Sequence, residues 1–351
     1  MKTYNKGEWS ELYTICSVLH DRIIKIGDNN LQPTKQYIKV LQLLMKSIAG
    51  EASYDTTSGD VAVIVNGKIE KRLRIDKTTV ENLFDEIRNG SGRSFSIPLG
   101  DKIMDDLMLE EFKANSYQKT DLDTISIMPT ETEPRQIGFS VKSQVGGLST
   151  LLNASKSTNF IYEVVGFNGD IDEINALSNP AQVMKRIRAI RQAGGEFVFS
   201  DTENQTFNQN LRLTDSLLPH IIAHMLLDYF SSSGISRIDE ITTRVASQLP
   251  FPITSDEIAK KMKDFLSNIT LGMIPTREWD GSALGGGCIF VKGDGDIVCF
   301  TLYDIDQFKD YLFNNTKFDT ASTTRHEFGS LYRENDDKLY FKLNLDIRFV
   351  S

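Results

Sequence analysis

The stretch Gly138-Phe-Ser-Val-Lys-Ser-Gln-Val-Gly146 decides how the rest of the chain is read. Ile137, Phe139 and Val141 alternate with Gly138, Ser140 and Lys142, the period of two that a strand with unlike faces imposes. Ser140, Lys142 and Gln144 then share one face and the apolar residues the other. A lysine between apolar strand positions needs a partner, because burying a bare ammonium is costly. Upstream, Lys119-Thr-Asp-Leu-Asp-Thr-Ile-Ser-Ile127 begins a second strand with Asp121 and Asp123 at its mouth, and a Glu-, Thr- and Pro-rich connection at 129–135 makes the two a hairpin. The result is a carboxylate beside a lysine, the skeleton of a metal-dependent phosphodiesterase.

That chemistry asks for few groups. Phosphodiester hydrolysis needs a divalent ion to polarise the phosphoryl group and activate water, and a cation near the developing charge. Magnesium suits hard oxygen ligands and takes only one or two protein carboxylates. Asp121 supplies one ligand, the Val141 carbonyl another, and Lys142 the cation; Asp123, two residues on and on the same face, stands behind Asp121. The plainer reading is an exposed hairpin whose Asp and Lys pair casually, worth little energetically.

Working outward, the chain is a mixed α/β (α+β) sequence. A helix from Asn5 to about Ile26, stopped by Gly27, buries Leu12, Ile15, Cys16 and Leu19. Glu8 lies within that apolar arc and Glu11 at its edge, either as first-turn carboxylates favoured by the helix dipole or aimed at a site. Residues 36–49 read as a second amphipathic helix, and 61–65 and 69–75 as a hairpin turned by Asn66-Gly67. Helices are expected over 78–89, capped by Thr78 with Glu81 three residues on, and over 102–112. A helix capped by Ser149 follows the lysine strand, then strand 160–165 of the same sheet. Beyond residue 168, helices are expected at 172–176, 181–193, 217–230, 238–248, 255–271 and 306–313, and strands at 196–199 and 206–213. A hairpin at 285–291 and 296–303, a polar irregular stretch at 315–328 and a closing strand at 338–349 complete it. Two portions result, a catalytic core at 1–167 and an α+β recognition portion at 168–351, which can share one core.

The totals exclude several classes. Apolar content of 40% and charged content of 25% over 351 residues describe an ordinary globular chain. No stretch approaches a membrane span, and the start, with Lys2, Lys6 and Glu8, is no signal peptide. Three cysteines, Cys16, Cys288 and Cys299, suit a reducing cytoplasm better than a disulfide framework. A net charge of −9 argues against coating nucleic acid by bulk electrostatics, but not against a locally basic cleft.

Longer runs carry a resemblance. Asn5-Lys-Gly-Glu-Trp-Ser-Glu-Leu-Tyr, Ile137-Gly-Phe-Ser-Val-Lys-Ser-Gln with Ser149-Thr-Leu-Leu-Asn-Ala-Ser, Leu271-Gly-Met-Ile-Pro-Thr-Arg-Glu-Trp-Asp-Gly, Asn315-Thr-Lys-Phe-Asp-Thr-Ala-Ser-Thr-Thr-Arg-His-Glu-Phe-Gly and Lys342-Leu-Asn-Leu-Asp-Ile-Arg-Phe span nearly the whole chain. In these the sequence resembles the HpaII family of type II restriction endonucleases. The resemblance implies a PD-(D/E)XK core, dependence on Mg2+, and cleavage of double-stranded DNA at a short palindrome, CCGG for the namesake type. It also implies a homodimer on DNA and a cognate DNA methyltransferase acting on the same site. Asp121 matches the metal-binding aspartate and Lys142 the motif lysine. Two positions depart: Ser140 stands where the pattern has Asp or Glu, and Thr120 precedes Asp121 in place of Pro. The missing carboxylate would come from Glu11 or Glu8, and Gln144 could hold a metal-bound water. The departure at Ser140 keeps two alternatives open, a repair or nicking nuclease on the same core and a DNA-binding protein with a lost metal site.

Candidate DNA contacts are Ser149, Thr150, Asn153 and Lys156 in the polar run after the lysine strand, read equally well as an ordinary helix face. In the polar stretch near the C-terminus, Lys317, Thr324, Arg325 and His326 join them. Arg325 is the base-reading candidate, since arginine can grip guanine O6 and N7 bidentately; the plainer reading is a surface loop with a salt bridge. Lys185, Arg186, Arg188 and Arg191 crowd one helix, usually a solvated face, with phosphate contact the other reading. His220 and His224 are four apart but lack a second ligand pair for zinc, so they read as packed or capping residues.

Overall fold

In the computed structural model, residues 2–47, 50–110, 120–147, 149–178, 180–283, 286–302, 305–334 and 337–350 are described. They form eleven α-helices, one short 3-10 turn and sixteen strands. Two compact units divide them: residues 1–149 with 283–311, and residues 150–282 with 312–351. The break expected at 167/168 thus falls at 149/150, and a later segment returns to the first unit.

The first unit opens with α1 (Lys6–Asp21), β1 (Ile23–Gly27), β2 (Pro33–Ser47), β3 (Gly50–Asp55), β4 (Val61–Val65) and β5 (Lys68–Leu73). It continues through α2 (Lys77–Asn89), α3 (Pro98–Asp106), β6 (Leu122–Ile127) and β7 (Arg135–Ser143). The second holds β8 (Thr150–Leu152), the single turn Lys156–Thr158, β9 (Asn159–Val165), α4 (Ile171–Ala176), α5 (Gln182–Gln192) and β10 (Glu196–Thr202). Four helices follow, α6 (Gln205–Thr214), α7 (Leu218–Ser231), α8 (Ile238–Val245) and α9 (Ser255–Thr270). The hairpin β11 (Gly287–Val291) and β12 (Ile297–Thr301) belongs to the first unit, and α10 (Ile305–Asn314) spans the boundary. The chain ends in the second unit with β13 (Thr316–Phe318), α11 (Thr323–His326), β14 (Leu331–Arg333), β15 (Leu339–Asn344) and β16 (Ile347–Phe349).

One nine-stranded sheet organises the first unit, in the order β1-β12-β11-β7-β6-β2-β3-β4-β5, and β1 also pairs with β2. Helix α1 packs on β7 and β1. Its residues 9, 10 and 12–19 are all buried, the signature of a helix enclosed by core rather than lying on a surface. Ile137, Phe139, Leu122, Ile289 and Cys299 of the sheet share that core with Trp9, Leu12 and Cys16. The Asn66-Gly67 turn is as expected, with φ of 49° and 78°, and so is the β6–β7 hairpin.

Several expected elements differ. Helix α1 stops at Asp21 because Arg22 adopts a left-handed conformation, φ 62°; the β-branched Ile23, Ile24 and Ile26 then form β1. Strand β2 replaces the helix expected at 36–49. A bulge between Val40 and Gln42 shifts its alternation, burying Ile38, Val40 and Leu43, and that broken period mimics a helical spacing. The cap of α2 is Asp76, accepting from Thr79 N–H, not Thr78. Helix α3 starts at Pro98, and residue 112 lies outside the described residues. The helix expected after Ser149 is β8 and one 3-10 turn, because Ile347 and Arg348 offer β8 a strand partner.

Strand β9 joins not the lysine strand's sheet but a second one, β10-β9-β15-β14. The strand expected at 206–213 is helix α6: Asn204 caps it, and Phe207, Asn210 and Leu211 bury at helical spacing. The closing stretch is two strands, β15 and β16, in different sheets.

Candidate active site

Strands β6 and β7 run antiparallel with Leu122 opposite Phe139 and Asp123 opposite Gly138. Asp121 stands one residue ahead of β6. Its N–H donates to the Phe139 carbonyl at 2.8 Å, which extends the ladder and swings the side chain over β7. There Asp121 Oδ2 accepts from the Val141 N–H at 2.7 Å and from the Ser140 hydroxyl at 3.1 Å. Ser140 is buried, so its hydroxyl must find such a partner. Lys142 follows, half-buried.

A neighbour that sequence reasoning missed marks the two charges as facing one side. Strand β11 runs parallel to β7 with Cys288 beside Ser140 and Phe290 beside Lys142. Burial pushes the Cys288 thiol up to about 12; the Lys142 ammonium works against that rise, and the Asp121 carboxylate adds to it. One buried sulfur feels both groups. The signal lay in the 288–299 hairpin, whose pairing with β7 no local pattern announces.

Asp123 is placed differently. A Cβ built on Gly138 would stand 2.5 Å from Asp123 Oδ1 and 2.4 Å from Thr120 Cγ2, so only glycine fits beneath these side chains. Asp123 lines a hollow of about 580 Å³ on the sheet with Gln42, Leu44, Ser53 and Gln136. Gln144 is held by its backbone N–H on the Val291 carbonyl at 2.8 Å, while its amide donates to the Tyr311 hydroxyl at 3.1 Å. Burial raises the Tyr311 phenol, keeping it protonated.

On the α1 side a cavity of about 640 Å³ is lined by Glu8, Glu11, Val141, Lys142, Ser143 and Ser149. Asp121 is not among its lining residues. Asn5, Lys6 and five glycines, Gly7, Gly90, Gly92, Gly146 and Gly147, also line it, leaving backbone open to close approach. The two glutamates are not equivalent. Glu8 accepts from the Asn5 N–H at 2.9 Å while Asn5 accepts from the Glu8 N–H at 3.0 Å, a capping box that holds Glu8 to the start of α1. Glu11, a turn further on, has its Oε2 shut off from solvent. Ser10 and Ser143 hydroxyls meet at 2.8 Å and fix α1 on β7.

The donors suit magnesium in kind: a carboxylate whose Oδ2 is occupied by two donors, leaving Oδ1, and nearby backbone carbonyls. Among the described residues no three His, Cys, Asp or Glu side chains group as a cation site.

The remaining candidates fall apart in space. The Ser149 hydroxyl donates to the Ser143 carbonyl, closing the turn after β7. Thr150 lies in β8 and Asn153 is exposed beyond it. Lys156 pairs with Glu327. Lys317, in β13, stands opposite Arg348. Thr324 and Arg325 are exposed on α11, whose Ser322 cap accepts from the Arg325 N–H, and His326 is half-buried. Asn159 donates to the His326 carbonyl at 2.9 Å and to Glu203 at 2.7 Å, which ties this turn to β9. Arg186 is not on a solvated face: it is buried, donating to the carbonyls of Asn175, Leu177 and Gly329. His224 Nδ1 bonds the His220 carbonyl at 2.8 Å, and His220 packs edge-on against Phe199, as expected of structural histidines.

Comparisons with known proteins identify the family. The sequence model of the HpaII restriction endonuclease family matches residues 5–349. The type II restriction enzyme HpaII of Haemophilus parainfluenzae is 35% identical over 362 aligned residues, covering 99% of this chain and 98% of that one. No solved structure matches the chain. No helix among the described residues is long and apolar enough to cross a membrane. With the family pattern running from residue 5 to residue 349, the chain belongs to the HpaII family and is a type II restriction endonuclease.

Proposed function

We propose that this enzyme cleaves double-stranded DNA at a short palindrome, CCGG, in a Mg2+-dependent reaction of the PD-(D/E)XK kind. The observation that supports it best is Asp121 held against Ser140 and Val141, one residue from Lys142, in a chain of this family. Asp121 and the Val141 carbonyl, with Glu11 or Glu8 as the further carboxylate, are the groups that would hold the ion. Bound there, magnesium supplies polarisation of the phosphoryl group and a more acidic water.

The chain's own residues do the rest. The Val141 N–H and Ser140 hydroxyl fix the carboxylate of Asp121, so it need not reorganise during the reaction. Lys142 orients the attacking water or takes its proton. In-line attack on phosphorus breaks the bond to the 3′ oxygen, which takes up a proton, leaving 5′-phosphate and 3′-hydroxyl ends. Residues 1–149 with 283–311 form the cutting unit; the rest, with Lys317, Thr324, Arg325 and His326 exposed or half-exposed, is the reading portion. A palindrome calls for a two-fold homodimer, and the companion is a DNA methyltransferase of the same specificity.

The test is incubation with plasmid DNA, with and without magnesium, and sequencing of the fragment ends. Discrete ends at CCGG, lost in chelator and reduced at least 100-fold in Lys142→Ala, are expected. Lys142→Ala cutting at the parent rate would sink the assignment.

A further inference from the structure

We propose that the exposed side of α5 is a ridge that follows the phosphate backbone of duplex DNA, starting from the α11 turn. The inference rests on reading the chain as a DNA endonuclease. Helix α5 turns Val183, Arg186, Ile187 and Ile190 inward, and Lys185, Arg188 and Arg191 outward at three-residue spacing. Those three cations form one stripe.

The stripe carries no counter-charge among the described residues. Six other cations of the second unit are paired: Lys156 with Glu327, Arg237 with Asp239, Arg244 with Asp228, Lys261 with Asp215, Lys338 with Glu163 and Lys342 with Glu203. Among the described residues, no carboxylate lies within ion-pair distance of Lys185, Arg188 or Arg191. Among the described residues Lys185 reaches the Ser178 carbonyl, at 3.3 Å. In a chain of net charge −9, leaving three neighbouring cations unmatched makes a local positive field that an anion can use.

The surroundings fit phosphate. Arg188 and Arg191 rim a hollow of about 280 Å³ with Gln192 and Ser231, over Met184 and Ile187. Arg191 lies over the Phe197 ring at 5.9 Å, which fixes its direction. At the other end, the Gln182 amide donates to Thr323 of α11, so the stripe begins beside Thr324 and Arg325. An eleven-residue helix spans about 16 Å, room for several phosphates of one strand. Position and sequence reading are thereby divided: α5 grips the backbone, α11 faces the bases.

The experiment measures duplex binding by the full chain, with calcium replacing magnesium, over a range of salt concentrations. Neutralising two phosphate contacts in Arg188→Gln/Arg191→Gln should flatten the slope of log K against log salt by about 1.8. It should weaken cognate and unrelated duplexes alike, while Arg188→Lys/Arg191→Lys keeps the parent slope. An unchanged slope in a folded glutamine variant overturns the ridge while leaving the nuclease reading intact. A loss confined to the cognate duplex also overturns it, since it would mean base reading. A parent chain that binds no duplex at low salt sinks both.

Discussion

Ser140 occupies the strand position where the proposed PD-(D/E)XK pattern would have an acid, and its surroundings say what an acid would do there. Its side chain is buried and its hydroxyl is 3.1 Å from Asp121 Oδ2. In Ser140→Asp two carboxylates would share that space, with a donor replaced by an acceptor, and at neutral pH they repel unless one takes up a proton. The variant should lose roughly 2 kcal/mol, a few degrees of melting temperature, in chelator. A cation between the two carboxylates reverses the sign of that interaction. Magnesium should therefore raise the melting temperature of Ser140→Asp more than that of the parent. Equal shifts, or none, would mean that no ion binds beside Asp121. The sequence reaches this far because alternation over 137–144 is a local property. The Asp121 bond to Val141 N–H is not local, and only the β6–β7 register supplies it.

At the scale of elements, α1 shows how one helix keeps its two glutamates apart in role. Both line the cavity that Lys142 also lines, but Glu8 closes the capping box with Asn5 and Glu11 takes no part in it. Glu8→Ala should cost about 1 kcal/mol of stability and leave cleavage within a few-fold of the parent. Glu11→Ala should leave the melting temperature nearly unchanged and slow cleavage at least tenfold. The reverse pattern would hand the missing carboxylate to Glu8. Periodicity could narrow the choice to these two residues but could not separate them, because the cap depends on Asn5 adopting an extended conformation. The same limit explains the misread elements. The 36–49 stretch looked helical because a bulge breaks the alternation of β2, and 149–159 looked helical because its strand partner lies some 200 residues away in β16. Helices with long apolar faces, α7 and α9, and hairpins with a two-residue turn were legible, since their determinants are contiguous.

For the molecule as a whole, the three cysteines offer a selective reporter. All are free and buried, and all belong to the first unit: Cys16 in residues 1–149, Cys288 and Cys299 in 283–311. Burial pushes Cys16 and Cys288 up to about 12 and raises Cys299 well above the usual thiol range. At pH 8 a thiol with such a value is thiolate in roughly one molecule in ten thousand, and the thiolate is the reactive form. Screening from reagent compounds this, so labelling must wait for the first unit to open. A disulfide-exchange reagent should find no fast thiol in the native chain and three in denaturant. The slow native rate should be the same for Cys16 and Cys288 if the nine-stranded sheet opens as one cooperative body. Magnesium bound at Asp121 would stabilise that closed body, and at about nine times its dissociation constant would slow labelling tenfold. Asp121→Asn keeps an oxygen to accept from Val141 N–H but loses the charge, so it should label at one rate with or without magnesium. A parent rate that ignores magnesium would separate the ion from Asp121, however well the enzyme cuts.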